Sequence, residues 1–113
     1  GVQTCALPIF GDRYGAAASG DIVERIEAAF RAEGFVVARN TPFAGAYTAQ
    51  AYGRPSRGSH VVQIEIDRSL YMNEQELRPN GNFAGMRRIL SRIIGELVEI
   101  GRPDGSSLPL AAE

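Results

Sequence analysis

The chain has 113 residues, 44% of them hydrophobic, with 12 basic and 13 acidic side chains and a formal charge of −1. Opposite charges are interspersed and no basic stripe accompanies the aromatics, which excludes a nucleic-acid-binding surface from the expectations. No apolar run approaches the ~20 residues of a membrane span and no signal-peptide layout is present, so a cytoplasmic protein with no membrane partner is expected.

Gly1 to Ile9, "GVQTCALPI", has no hydrophobic periodicity and no initiating Met. It resembles translated read-through of a sequencing adapter, and residues 1–9 are set aside as a non-native leader. Cys5, the one cysteine, lies inside it, so neither a disulfide framework nor a thiol nucleophile is expected. All the basic residues are arginine, which reads as the bias of a GC-rich genome rather than as a binding surface. Ser19 to Glu33 is predicted to be a helix. Ile22, Val23, Ile26, Ala29 and Phe30 recur at helical spacing, Asp21 and Glu24 make a capping-box-like pair, and Gly34 follows as a C-terminal stop. Phe35 to Ala38 reads as a short strand. Helix, glycine turn and strand in that order fit an α/β layer arrangement.

Asn40 to Ser59 is dense in Gly, Pro, Tyr, Arg and Asn, the composition of a functional loop. Asn40, Tyr47, Tyr52, Arg54 and Arg57 can present donors to a substrate carboxylate, for which arginine offers a planar fork and tyrosine a hydroxyl. The plainer reading makes Pro42, Gly45, Gly53 and Pro55 turn residues and leaves the arginines solvated. Val61 to Asp67 is predicted to be a strand, with His60, Val62, Ile64 and Ile66 on one face and Val61, Gln63, Glu65 and Asp67 on the other. Glu65 stands near its carboxyl end, where the loops of an open α/β sheet form a crevice for ligands. It is the candidate catalytic acid or base; the alternative is a solvated face of a half-buried antiparallel strand. A catalytic zinc takes about three protein ligands. With one His and one Cys in the chain, and His60 facing away from Glu65, no metal ligands are assigned, and His60 reads as a buried, hydrogen-bonded side chain.

In Arg68 to Glu76, Tyr71 and Met72 are expected to pack while Asn73 and Glu74 open a turn or helical segment. Asn82 to Ile100 is the longest periodic stretch. Phe83, Met86, Leu90, Ile93, Ile94, Leu97 and Ile100 form its apolar face, and Arg92 and Glu96 have the spacing of an ion pair. It is expected to cover the sheet as a layer helix. Gly101 to Gly105 stops it, and residues 102–113 read as a flexible tail. Two strand-like segments cannot close a sheet alone, so residues 10–101 read as part of a larger domain.

"GDRYGAAAS", "NTPFAGAYTAQAYGRPSRG" and "HVVQIEIDRSLYMNE", in this order and followed by the helical stretch, resemble the C-terminal part of the N-formylglutamate amidohydrolase (N-formylglutamate deformylase) family, from Gly11 to Leu97. The resemblance implies the C-terminal part of a three-layer αβα, zinc-carboxypeptidase-like (phosphorylase/hydrolase-like) fold with a mixed central sheet. It also implies metal-dependent hydrolysis of N-formyl-L-glutamate to formate and L-glutamate, a late step of bacterial histidine breakdown. The divalent metal, zinc in this reading, would be held by an N-terminal portion not represented in these residues, so the chain alone is expected to be inactive. Glu65 would be the general base, taking a proton from the attacking water and returning it to the leaving amine. Two departures stand out: the family resembles "GGY" followed by an Arg before "YG", whereas this chain has Gly45-Ala46-Tyr47 and Gln50. The lost guanidinium leaves open a hydrolase of another N-acyl amino acid, and the missing ligands leave open a non-catalytic interaction module.

Overall fold

The computed structural model describes residues 8–102. At its centre is a three-stranded sheet. The middle strand β1 (Ile9–Gly11) runs parallel to β2 (Ala38–Arg39) and antiparallel to β3 (Gln63–Glu65). Ile9 faces Glu65, Phe10 faces Ile64 and Gly11 faces Gln63. The leader boundary drawn at Ile9 therefore falls inside the central strand. Pro8 is fully buried, and its carbonyl accepts the Ala38 N–H at 2.9 Å. Three residues that follow a proline and end in a glycine are too few for alternation to announce a strand. The rest of the leader and the tail beyond Arg102 lie outside the described residues.

Helix α1 (Gly20–Ala32) buries Val23, Ile26 and Phe30, one stripe at helical spacing. Its start differs from the expected capping box. Ser19 is the N-cap, and its hydroxyl donates to the Asp21 carboxylate at 2.7 Å instead of accepting a backbone N–H. Asp21 thus lies within the first turn, where a carboxylate suits the helix dipole, and the Ser19 hydroxyl holds its carboxyl below the usual range. The other end closes as the sequence suggests. Gly34, at φ +94°, sends its N–H to the Arg31 carbonyl at 2.9 Å, and Phe35 sends its own to the Phe30 carbonyl at 3.1 Å. This paired return satisfies orphan carbonyls and needs a left-handed residue that glycine supplies without strain. It also brings the Phe35 ring to 5.8 Å from Phe30, which packs edge-on to Phe10 at 5.1 Å.

Helix α2 (Tyr47–Tyr52) and a one-turn 3₁₀ helix at Pro55–Arg57 occupy the stretch read as loop. A second 3₁₀ turn, Arg68–Leu70, leads into a hairpin of β4 (Met72–Asn73) and β5 (Arg78–Pro79). The expected turn at Asn73 forms through its side-chain oxygen, which accepts the N–H groups of Gln75 and Glu76 at 3.0 and 3.1 Å.

Helix α3 (Phe83–Ile100) packs along α1. Met86 and Ile93 are buried, with Ile89, Leu90, Leu97 and Ile100 packed partly against the core. Ile94, expected on this face, is 58% exposed; it sits about 100° round the helix from Ile93, on the flank of the stripe. Arg92 also differs from expectation. Its guanidinium forks onto Glu33 at the end of α1, Nε to Oε2 at 3.0 Å and Nη2 to Oε1 at 2.8 Å, rather than reaching Glu96. A bidentate fork is more favourable than a single flexible pair along one helix.

Phe10, Ala18, Val23, Ile26, Phe30 and Ile93 form the core, joined by Val62, Ile64 and Ile66. Both long helices therefore lie against the sheet face that carries Phe10 and Ile64. Strand alternation puts Ile9, Gly11, Ala38, Gln63 and Glu65 on the opposite face. The result is a mixed α/β layer structure. Among the described residues no helix is long and apolar enough to cross a membrane.

Two outcomes check this packing by urea unfolding. Phe30→Ala is expected to cost about 3–5 kcal/mol, whereas Ile94→Ala stays within about 0.5 kcal/mol. The Arg92 hydrogen bonds, and secondarily its charge, hold the Glu33 carboxyl below its usual range. Their contribution is in place above the unfolded carboxyl value and is lost as pH falls through the lowered folded one. Arg92→Leu should flatten part of the loss of stability between about pH 6 and pH 3 at low salt, and added salt should shrink the difference.

Candidate active site

The carboxyl ends of β1 and β2 are joined by one polar network. Asn40 Oδ1 accepts the N–H groups of Asp12 at 3.2 Å and Tyr14 at 3.3 Å, while its Nδ2 donates to Asp12 Oδ1 at 2.9 Å. The Tyr14 hydroxyl donates to the Asn40 carbonyl at 3.3 Å. Asp12 and Asn40 are both buried. Arg13, Tyr14 and Asn40 have φ of 53°, 56° and 63°, so three non-glycine residues in the left-handed region converge here, a costly arrangement that surrounding structure must fix. Asn40, expected to face substrate, therefore uses its amide to hold the 12–14 turn. Asp12 was missed in the sequence, where an acidic residue in a Gly-flanked turn gives no sign of burial; the signal available was its place in the "GDRYG" block.

From this network the chain runs over the sheet. The Arg13 N–H donates to the Ala44 carbonyl at 2.8 Å. A Cβ on Gly11 would come within 2.7 Å of Ala44 C and Gly45 N, so only glycine lets the 44–45 backbone lie on β1. Ala46 then presents its N–H to Gln63 Oε1 at 2.9 Å, and Gln63 Nε2 donates to Glu65 Oε1 at 2.6 Å. Glu65 is half-buried. The direction of β3 corrects the expected crevice. Because β3 is antiparallel to β1, its carboxyl end lies beside Ile9 and its amino end, at Gln63, lies beside Gly11. Glu65 is thus linked to the loop cluster through Gln63 rather than by standing at the cluster's own end of the sheet.

The remaining expected residues sit on or after α2. Tyr47 and Tyr52 are 72% and 61% exposed. Arg54 Nη1 donates to the carbonyls of Gln50 at 3.1 Å and Gly53 at 2.7 Å, which places the guanidinium at the C-terminal end of α2, where a cation is favoured. Arg57 is exposed in the 3₁₀ turn. Among the described residues no hydrogen bond joins these side chains to Glu65. Ala46, the first departure from the family pattern, has φ −115° and ψ −153°, extended values open to any residue. His60 is half-buried, its Nδ1 accepting the Ser19 N–H at 3.1 Å at the start of α1. Among the described residues no group of three His, Cys, Asp or Glu side chains is placed to hold a metal ion.

Removing the Asn40 side chain leaves two backbone N–H groups and the Asp12 carboxylate without this partner. Asn40→Ala is expected to destabilise by about 1–3 kcal/mol in urea unfolding. Asn40→Gly, which adopts the same φ freely, should remain well below the native protein, separating the amide's contribution from backbone strain.

The model of the N-formylglutamate amidohydrolase family matches residues 2–72. An N-formylglutamate deformylase of Pseudomonas aeruginosa is 33% identical over 96 residues, which cover 82% of this chain and 35% of that protein. The crystal structure of an N-formylglutamate amidohydrolase from Ralstonia eutropha JMP134 superposes with a TM-score of 0.74 at 34% identity, over 84% of this chain and 33% of that one. This chain spans about a third of the length of these relatives. The family match begins within residues 1–9 and takes in β1, the Asp12–Asn40 network, α2 and β3. With sequence and structure agreeing over most of its residues, the chain belongs to the N-formylglutamate amidohydrolase family.

Proposed function

We propose that this chain supplies the general base and part of the substrate loop of an amidohydrolase that converts N-formyl-L-glutamate and water to formate and L-glutamate. The observation that carries this reading is the Glu65 carboxylate. It lies on the sheet face opposite the two long helices and is tied through Gln63 to the loop before α2. There it takes a proton from water as the water oxygen bonds to the formyl carbon. It returns that proton to the amine nitrogen as the carbon–nitrogen bond breaks. Tyr47, Tyr52 and Arg54 supply hydroxyls and a guanidinium for the carboxylates of the substrate.

The described residues do not fit a metal centre. Asp12 is bonded to Asn40, His60 Nδ1 is engaged by Ser19, and three donors do not converge. The zinc suggested by the resemblance would take its ligands elsewhere in a longer chain, within the three-layer carboxypeptidase-like fold, and residues 10–101 would then be the C-terminal part of a cytoplasmic enzyme of bacterial histidine breakdown. A second reading, hydrolysis of another N-acyl amino acid, is favoured by Gln50, which is exposed on α2 where the family pattern places an arginine.

The test places this segment in the Pseudomonas aeruginosa deformylase, replacing the matching 35% of that protein. Formate release from N-formyl-L-glutamate is expected, and Glu65→Gln should lower kcat by about 10²–10⁴-fold. Undiminished turnover in that variant would remove Glu65 from the mechanism. Faster release from N-acetyl or N-succinyl amino acids than from the formyl compound would favour the second reading.

A further inference from the structure

We propose that Gln63 is a positioning residue that couples Glu65 to the substrate loop, an inference that rests on the reading of Glu65 as the base. The carboxamide is used at both ends. Its oxygen receives the Ala46 N–H at 2.9 Å and its nitrogen reaches the Glu65 carboxylate at 2.6 Å. The orientation of the amide is fixed by chemistry: a backbone N–H can only donate, so oxygen must face Ala46 and nitrogen must face Glu65. Positions 63 and 65 are neighbours on one face because strand side chains alternate. Among uncharged side chains of this length, only glutamine offers a donor and an acceptor together.

The coupling depends on the backbone below it. Gly11 pairs with Gln63 across β1 and β3, and its missing Cβ lets the Ala44–Gly45 backbone settle on the sheet, which brings the Ala46 N–H within reach. Ala46 is also the N-cap of α2, the helix carrying Tyr47 and Tyr52. One side chain thus fixes the base relative to the helix that presents the substrate-facing groups. The bond to a carboxylate is about twice as strong as one between neutral partners, so the nitrogen end is the firmer of the two anchors.

Two substitutions separate the two ends. Gln63→Glu keeps an oxygen for Ala46 but removes the donor to Glu65. Gln63→Met keeps the length and removes both. In the full chain, hydrogen exchange at the Ala46 amide should match the native rate in Gln63→Glu and rise by about tenfold in Gln63→Met. In the exchanged deformylase, Gln63→Glu should lower kcat by about 10–100-fold with KM unchanged, while Gln63→Met lowers kcat and raises KM. Equal Ala46 exchange in the native and Gln63→Met chains overturns the tether. Native kcat in both variants, with Glu65→Gln inactive, overturns the positioning role and leaves the base intact. Native kcat in Glu65→Gln overturns both.

Discussion

At Gly11 two backbones lie closer than any side chain would permit. A methyl group there would meet Ala44 and Gly45 at 2.7 Å, a separation that could be relieved only by moving one backbone off the other. The candidate site is built outward from this approach. With the 44–45 segment down on β1, the Ala44 carbonyl takes the Arg13 N–H and the Ala46 N–H meets Gln63. The left-handed turn at Arg13 and Tyr14 is held open by Asn40, so the two ends of the approach are fixed by different elements, β1 on one side and β2 on the other. A single missing Cβ and one buried amide thereby set the spacing between a strand carboxylate and a helix start.

The helical layer keeps this arrangement in place from the other side of the sheet. Phe10 is flanked by Ile9 and Gly11, which point the opposite way, and its ring is locked against Phe30 and the rest of the core. Any displacement of β1 that relaxed the loop would therefore pull an aromatic ring out of a packed interior, where lost contact has no compensating partner. The Schellman turn at Gly34 carries the chain back from Phe30 to β2, and the Arg92 fork ties the end of α1 to α3. The packed helices are thus on the apolar face and the candidate site on the polar one, a separation that allows loop residues to vary while β1 and α1 remain fixed.

What could be read in the residues was what periodicity encodes. Helix α1, its glycine stop, helix α3 and the facing of Ile64 against Glu65 follow from spacing alone. β1 was not legible, because three residues carry no period. The partners of Arg92 and Asn40 were not legible for a different reason. Both side chains find partners distant in sequence, Glu33 and Asp12, and pattern reading offers only neighbours a few residues away. The direction of β3 also lay outside the pattern: alternation gives the face of Glu65 but not which end of the sheet it stands at.

The two departures from the family pattern acquire different weights once the backbone is known. Position 46 contributes its N–H to Gln63 and has extended dihedral angles, so alanine there leaves the link to Glu65 as glycine would. Position 50 lies one turn after Tyr47 on α2, and residues three apart share a helix face. Its carbonyl receives Arg54 Nη1, so a guanidinium lies beside position 50, carried by a residue that follows α2. In the proposed reading, variation in substrate has a natural location on the exposed side of α2 and the turn after it, through Tyr47, Gln50 and Arg54, whereas Glu65 and Gln63 stand on a strand whose register is fixed by Phe10 and Ile64. Under the proposed reading, specificity can change around that helix while the Gln63–Glu65 pair on β3 keeps its geometry.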